Sequence, residues 1–129
     1  MSNVIHQEVV FDAPPARVYR ALTNASEHAE FTGGPAEISE QVGGAFSCHG
    51  GRILGLNLEL VPDSRIVQAW RPANWPEGVY SIVRLDLEAE GSSKTRLKLT
   101  HSGLPDEGAE HIEDGWKVRY WQPLAKYLA

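Results

Sequence analysis

The side chains of this sequence with the most to offer chemistry are five histidines and one cysteine. An imidazole titrates near neutrality and serves as a general base or metal ligand, and a thiolate is a nucleophile and soft ligand. Spacing decides whether they can cooperate. Cys48 and His49 are adjacent, so on a strand they point to opposite faces and cannot both grip one ion without a bulge. No C-x-x-C or H-x-x-x-H pattern occurs, and neither a metal site nor a cofactor is expected. His101 is in phase with Leu97 and Leu99, which puts an imidazole at the edge of an inward face. It reads either as a strand-end histidine bonded to backbone or water, or as a polar anchor or general base at a cavity. His6, His28 and His111 have polar neighbours and are expected in solvent.

Other chemistry-bearing residues have structural explanations. The glycine pairs Gly33-Gly34, Gly43-Gly44 and Gly50-Gly51 have the wrong spacing for either phosphate-binding loop and read as turns. Asp86, Glu88 and Glu90 fall on the wet face of a strand, and the acids from Asp106 to Asp114 suit a helix start. Glu59, Arg71 and Arg84 are expected outside by alternation, although sheet curvature could turn them toward a rim. Asn24-Ala25-Ser26 is a chance match to a glycosylation acceptor, with no secretion signal at Met1 to Gln7.

The aromatic residues are the better clue. Four Trp, four Tyr and three Phe are present, and all four Trp lie in the second half. Trp116 and Tyr120 share a helical stripe with Ile112 and Leu124, while Phe46, Trp70, Trp75 and Tyr80 come from strands or from a proline-flanked loop. Buried Trp and Tyr need partners for their polar ends, so a cluster of them costs more as plain core than Leu or Ile would. These eight residues and His101 are therefore the candidate lining of a ligand cavity. Core filling without a ligand is the competing reading.

The elements that must position them follow from periodicity. Val4 to Phe11 reads as a first strand, and Pro14-Pro15 then opens a short amphipathic helix from about Pro15 to Thr23. A second short helix covers Ser26 to Phe31. From there to His101 the period is two, punctuated by turns. Leu54, Leu56, Leu58 and Leu60 share one face of a strand, opposite Gly55, Asn57 and Glu59. Leu85, Leu87 and Ala89 alternate with charged residues, as do Thr95, Leu97, Leu99 and His101 on the neighbouring strand. Acids outside one strand meet bases outside the other, as in antiparallel partners with one wet face. After Pro105 a long helix is expected, with a kink or break near Arg119 to Pro123, where the proline collides with the Arg119 carbonyl. The sum is an α+β fold in one domain spanning 1–129: helices on one face of a curved antiparallel sheet of about six or seven strands.

These segments also carry a resemblance. RVYRALTNASEHAEFTGG (Arg17 to Gly34), the run from Val42 to Leu87, TRLKLTHSGLP (Thr95 to Pro105) and GWKVRYWQPLAKYL (Gly115 to Leu128) resemble bacterial single-domain relatives of the Hsp90 ATPase activator C-terminal domain. These belong to the START-like, or Bet v 1-like, superfamily. The resemblance covers almost the whole chain in order. It implies a helix-grip fold, whose curved sheet wraps a C-terminal helix around a cavity used for hydrophobic ligands, polyketide cyclisation or protein contacts. Phe31 stands where the family usually shows a tryptophan. The full eukaryotic co-chaperone has a further N-terminal domain, for which 129 residues leave no room.

Three functions are therefore expected in order. The first is binding of a hydrophobic small molecule between sheet and C-terminal helix, with no catalysis required. The second is an interaction module that contacts an Hsp90-type ATPase. The third is a small cyclase or hydrolase with His101 as base, for which the sequence offers no nucleophile-base-orienter set. A net charge of −5 gives no basic surface for nucleic acid or anionic membranes, and no apolar run reaches the length of a membrane span. One cysteine cannot form an internal disulfide, which fits a reducing cytoplasm. Nothing in the residue pattern fixes an oligomeric state.

Overall fold

A computed structural model describes residues 4–105 and 109–129; the expected acids Asp106 and Glu107 lie outside them. Strand β1 (Ile5–Phe11) leads into α1 (Pro15–Thr23) and α2 (Ala25–Thr32), followed by β2 (Glu37–Ile38), β3 (Ala45–Cys48), β4 (Ile53–Val61), β5 (Arg65–Pro72), β6 (Ser81–Glu90) and β7 (Lys94–Ser102). The C-terminal helix is α3 (Ala109–Gly115), a π-helical turn (Trp116–Trp121) and α4 (Gln122–Leu128). The seven strands form one curved antiparallel sheet in the order β1-β7-β6-β5-β4-β3-β2. β1 therefore returns to pair with the last strand, with Ile5 opposite His101 and Phe11 opposite Thr95.

Local chemistry explains the boundaries. Pro15 starts α1, where a missing amide hydrogen is harmless. Asn24 caps α2 by accepting from the Glu27 amide at 3.1 Å, so the apparent glycosylation acceptor is a helix cap. Gly33 closes that helix at φ +77°, a conformation that favours glycine. On the wet face of β6 and β7, Lys98 meets Glu88 at 2.8 Å, and Arg96 bridges Glu90 and Glu8, both at 2.5 Å. The expected pairing of acids with bases is present.

The inward faces of β6 and β7 also match the alternation. Val83, Leu85 and Leu87 are buried, as are Thr95, Leu97, Leu99 and His101; Ala89, at the strand end, is exposed. With Phe11, Val18, Ile66 and Leu124 they form the core beneath the helices.

Strand β4 is the reverse of its expectation. Leu56 and Leu58 are 41% and 46% exposed, while Gly55 and Asn57 face inward. The Phe46 ring lies where a Gly55 side chain would be, and Asn57 donates to the Ser39 carbonyl at 2.6 Å, which satisfies a buried amide. A bulge between Asn57 and Glu59 then changes the phase, so that Leu60, opposite Ile66, packs on the core.

The C-terminal helix also differs from expectation. It does not break before Pro123 but widens by one residue, with the Gln122 amide donating to the Lys117 carbonyl five residues back. Pro123 has no amide hydrogen for the Arg119 carbonyl, and a π turn is one way for a helix to absorb that gap. As a result the consecutive residues Tyr120 and Trp121 are both buried, together with Trp116 and Leu124. Trp121 Nε1 donates to Gln7 Oε1 at 2.6 Å, and Gln7 Nε2 donates to the Glu113 carbonyl at 2.9 Å, which ties the helix to β1.

Candidate functional site

Among the described residues, a small space and a large one lie against the helix. Between helix and sheet is a void of about 20 Å³, room for about one water, bordered by Phe46, Trp70, Trp116, Tyr120, His28 and Cys48. The aromatics have otherwise filled the interior. At the end of the sheet, where the loop after β5 faces the helix, a cleft of about 760 Å³ opens. Trp70 and Trp116 form its inner wall, Ile112 and Tyr120 continue it along the helix, and Trp75, Pro72 and Pro76 close the opposite side.

That opposite wall is held by the chain itself. The Arg71 guanidinium donates to the carbonyls of Trp75 at 2.5 Å, Pro76 at 3.2 Å and Val79 at 3.2 Å. The Ala73 amide donates to the Arg52 carbonyl at 2.8 Å, and the Trp75 ring stands edge-on to Trp70. Arg71 therefore shapes the loop instead of facing a ligand.

Of the expected lining, the cleft brings together Trp70, Trp75, Ile112, Trp116 and Tyr120. Phe46 borders the small void behind them. Leu124 is wholly buried and borders neither space. Tyr80 does not join the set: it is 46% exposed, with its ring beside the Arg71 guanidinium at 5.7 Å. Its strand neighbour Ser81 is the inward residue, so alternation sends Tyr80 out. Arg84 and Glu59 also stay outside, paired with Asp86 and Arg65.

His101 lies behind the cleft wall, not at an edge. It has no exposure, and both ring nitrogens are used: Trp116 Nε1 donates to Nδ1 at 3.0 Å, and Nε2 lies 2.7 Å from Ser81 Oγ. Because Nδ1 accepts, Nε2 carries the hydrogen and donates to Ser81, whose hydroxyl donates to the Trp70 carbonyl at 2.7 Å. The chain of donors is complete, and burial lowers the imidazole pKa to about 4. No lone pair is left for a substrate, so this geometry makes His101 a structural linker of β6, β7 and the helix. His101→Ala should therefore cost about 3–4 kcal/mol in urea unfolding, since it opens a cavity and strands the Trp116 N–H. An unchanged midpoint would refute that role.

Two other histidines depart from expectation. His28 is 3% exposed, not solvated; its ring is tilted against Phe31 and edge-on to His49 and Tyr120. Its Nδ1 has no hydrogen-bond partner in the protein, and burial, with a smaller contribution from His49, lowers its pKa to about 4. His49 leaves the strand at φ +55°, which brings its ring to the same side as Cys48. Its Nε2 lies 3.2 Å from the Tyr120 hydroxyl, and its pKa is lowered by burial and then by Arg119 and Arg52. Burial pushes the Cys48 thiol up to about 12, so it offers no ready thiolate. Among the described residues no group of three or more His, Cys, Asp or Glu could hold a metal ion.

Sequence reasoning missed His49, Arg52, Ile53, His111 and Arg119, which also line the cleft. Arg119 had a readable signal, since it follows Trp116 by three residues and Ile112 by seven, on one helical stripe. Arg52 and His49 had none, because the turn that aims them depends on a non-glycine residue at positive φ.

With the geometry established, the relatives can be compared. The family model described as activator of Hsp90 ATPase homolog 1-like protein matches residues 12–129. Over 107 residues the chain is 36% identical to an activator of 90 kDa heat shock protein ATPase homolog from Dictyostelium discoideum, covering 83% of this chain and 28% of that one. Over 114 residues it is 30% identical to the human homolog 1, covering 88% and 33%. The chain thus spans about a third or less of the length of these curated relatives. Among solved structures, an HSP90 activator from Plasmodium falciparum superposes with a TM-score of 0.91 at 29% identity, covering 97% of this chain and 95% of that one. A protein from Chromobacterium violaceum gives 0.79 at 29% identity, covering 98% and 96%. The match extends from the end of β1 through the helix that walls the cleft, and on that extent the chain belongs to the activator of Hsp90 ATPase homolog 1-like family.

Proposed function

We propose that this domain binds an apolar small molecule in the cleft between the C-terminal helix and the loop after β5. The observation that carries the reading is a cleft of about 760 Å³ with three tryptophans in its walls, since small-molecule sites commonly measure about 300–1,000 Å³ and are mostly apolar with a few polar groups. The Arg71 clasp adds preorganisation, because a loop already ordered loses less entropy on binding. The ligand sits at the end of the sheet, not beneath the helix, where aromatic packing leaves space for only a water. Fluorescence titration with the neutral dye N-phenyl-1-naphthylamine tests this. Saturable one-site binding is expected, and Trp75→Ala should weaken it about 30-fold by removing roughly 2 kcal/mol of apolar contact. Absence of saturable binding would sink the proposal.

A second reading is favoured by family membership: a contact module for an Hsp90-type ATPase. The Plasmodium falciparum activator supports it, because its solved chain has nearly the extent of this one. The test is ATPase turnover of the host chaperone at saturating protein, where an unchanged rate would dispose of the reading. Either role suits the cytoplasm, supported by the single buried cysteine; among the described residues no helix is long and apolar enough to cross a membrane.

A further inference from the structure

We infer that the cleft selects an amphipathic anion, with Arg52 and Arg119 holding its charged group and the tryptophan walls taking its apolar body. The inference rests on the cleft being a ligand site and adds the charge of its ligand. It comes from a comparison of the arginines. Five of the eight are in ion pairs: Arg17 and Arg20 with Glu27, Arg65 with Glu59 and Asp86, Arg84 with Asp86, and Arg96 with Glu8 and Glu90. Arg71 is used by three loop carbonyls. Of the eight arginines, all of them described, only Arg52 and Arg119 have neither an ion pair nor a side-chain hydrogen bond, and both line the cleft.

The remaining lining points the same way. His49 and His111 are also on the walls, and among the described residues no Asp or Glu is. A chain of net charge −5 thus presents two arginines, and among the described residues no carboxylate, to this aromatic-lined cleft. Arg52, from the turn after β3, and Arg119, from the helix, line the same cleft beside His49, and each lowers the pKa of that imidazole. Guanidinium groups are well suited to carboxylate, sulfonate or phosphate, whose planar or trigonal oxygens they can bond in pairs. Unpaired arginines beside an aromatic cleft therefore favour a molecule that is apolar at one end and negatively charged at the other.

A matched pair of probes separates charge from shape. 1-Anilinonaphthalene-8-sulfonate is N-phenyl-1-naphthylamine with an added sulfonate, and both report binding by fluorescence. The sulfonate should bind about tenfold more tightly at low salt, an advantage that shrinks as salt rises. Arg52→Gln and Arg119→Gln should each lower the ratio of sulfonate to neutral-dye affinity several-fold; Arg119→Glu should abolish the sulfonate's advantage. Both arginines are exposed, so thermal melting of the variants should match the parent protein. Equal affinities for the two dyes, or variants that weaken both alike, would overturn the inference while leaving the cleft as an apolar site. If neither dye binds saturably, both readings fall.

Discussion

Between pH 6.5 and pH 4 the protein should lose roughly 6 kcal/mol of folding stability, enough to unfold many domains of this size. The loss comes from two imidazoles that are buried neutral. Unfolded histidine titrates near 6.5, and His28 and His101 are each lowered to about 4, burial being the largest cause for both. The unfolded chain therefore takes up these protons first. Stability from the pair is complete above pH 6.5, declines as pH falls through the interval, and levels off below about 4. Each histidine contributes about 3 kcal/mol over that fall, against a total stability of about 5–15 kcal/mol for a typical domain.

His49 is shifted in the same direction and adds to the slope. The carboxylates act elsewhere. Asp86 is held below its ordinary range because Arg84 and Arg65 outweigh its partial burial, and Glu90 is held down by Arg96. Their contributions disappear only as pH falls below the usual carboxylate values. Urea unfolding at several pH values from 7 to 4 measures the slope directly. His28→Phe should roughly halve it, since a phenyl ring suits the surrounding rings of Phe31 and Tyr120 and has no proton to bind. A midpoint independent of pH across that range would contradict the assignment.

The second large effect is expected from one methyl group. A Cβ at Gly55 would lie 2.0 Å from the Ala69 carbonyl oxygen and 2.4 Å from the Phe46 ring. The ring can move only into packed core, and the carbonyl belongs to the paired strand, so relief requires β4 and β5 to separate locally. Overpacking of this kind costs about 1–3 kcal/mol and sometimes more; with backbone involved, Gly55→Ala should lose at least about 3 kcal/mol, or about 10 °C in Tm. Leu58→Thr, three residues away on the exposed face, should change stability by no more than about 0.5 kcal/mol. Thermal melts of both variants decide the matter. A costly Leu58→Thr beside a neutral Gly55→Ala would mean that the leucines are the core after all.

That pair of variants marks where the sequence could be read and where it could not. Alternation identified the inward residues of β7 because charged residues on the other face left only one orientation. In β4 the same period two was present, but period alone does not say which face is wet. The leucines offered the wrong answer, and the true signals were the small Gly55 and the amide-bearing Asn57, whose burial depends on Phe46 and Ser39 from elsewhere in the chain. The candidate site divides similarly. Its tryptophans were legible from helical spacing for Trp116, and from a strand and the proline-flanked loop for Trp70 and Trp75. Arg52 and His49 were not, because a turn at positive φ aims them. His28 looked solvated from its neighbours in sequence and is buried by its neighbours in space.

The π-helical turn at Trp116–Trp121 divides the last helix into parts with different obligations. Upstream, α3 has no buried residue; downstream, Leu124 is locked into the core. Substitutions at the exposed His111 can alter the cleft with little penalty to folding, whereas those around Leu124 cannot. The cleft wall is thereby free to vary on one half of a helix while the other half keeps the scaffold constant.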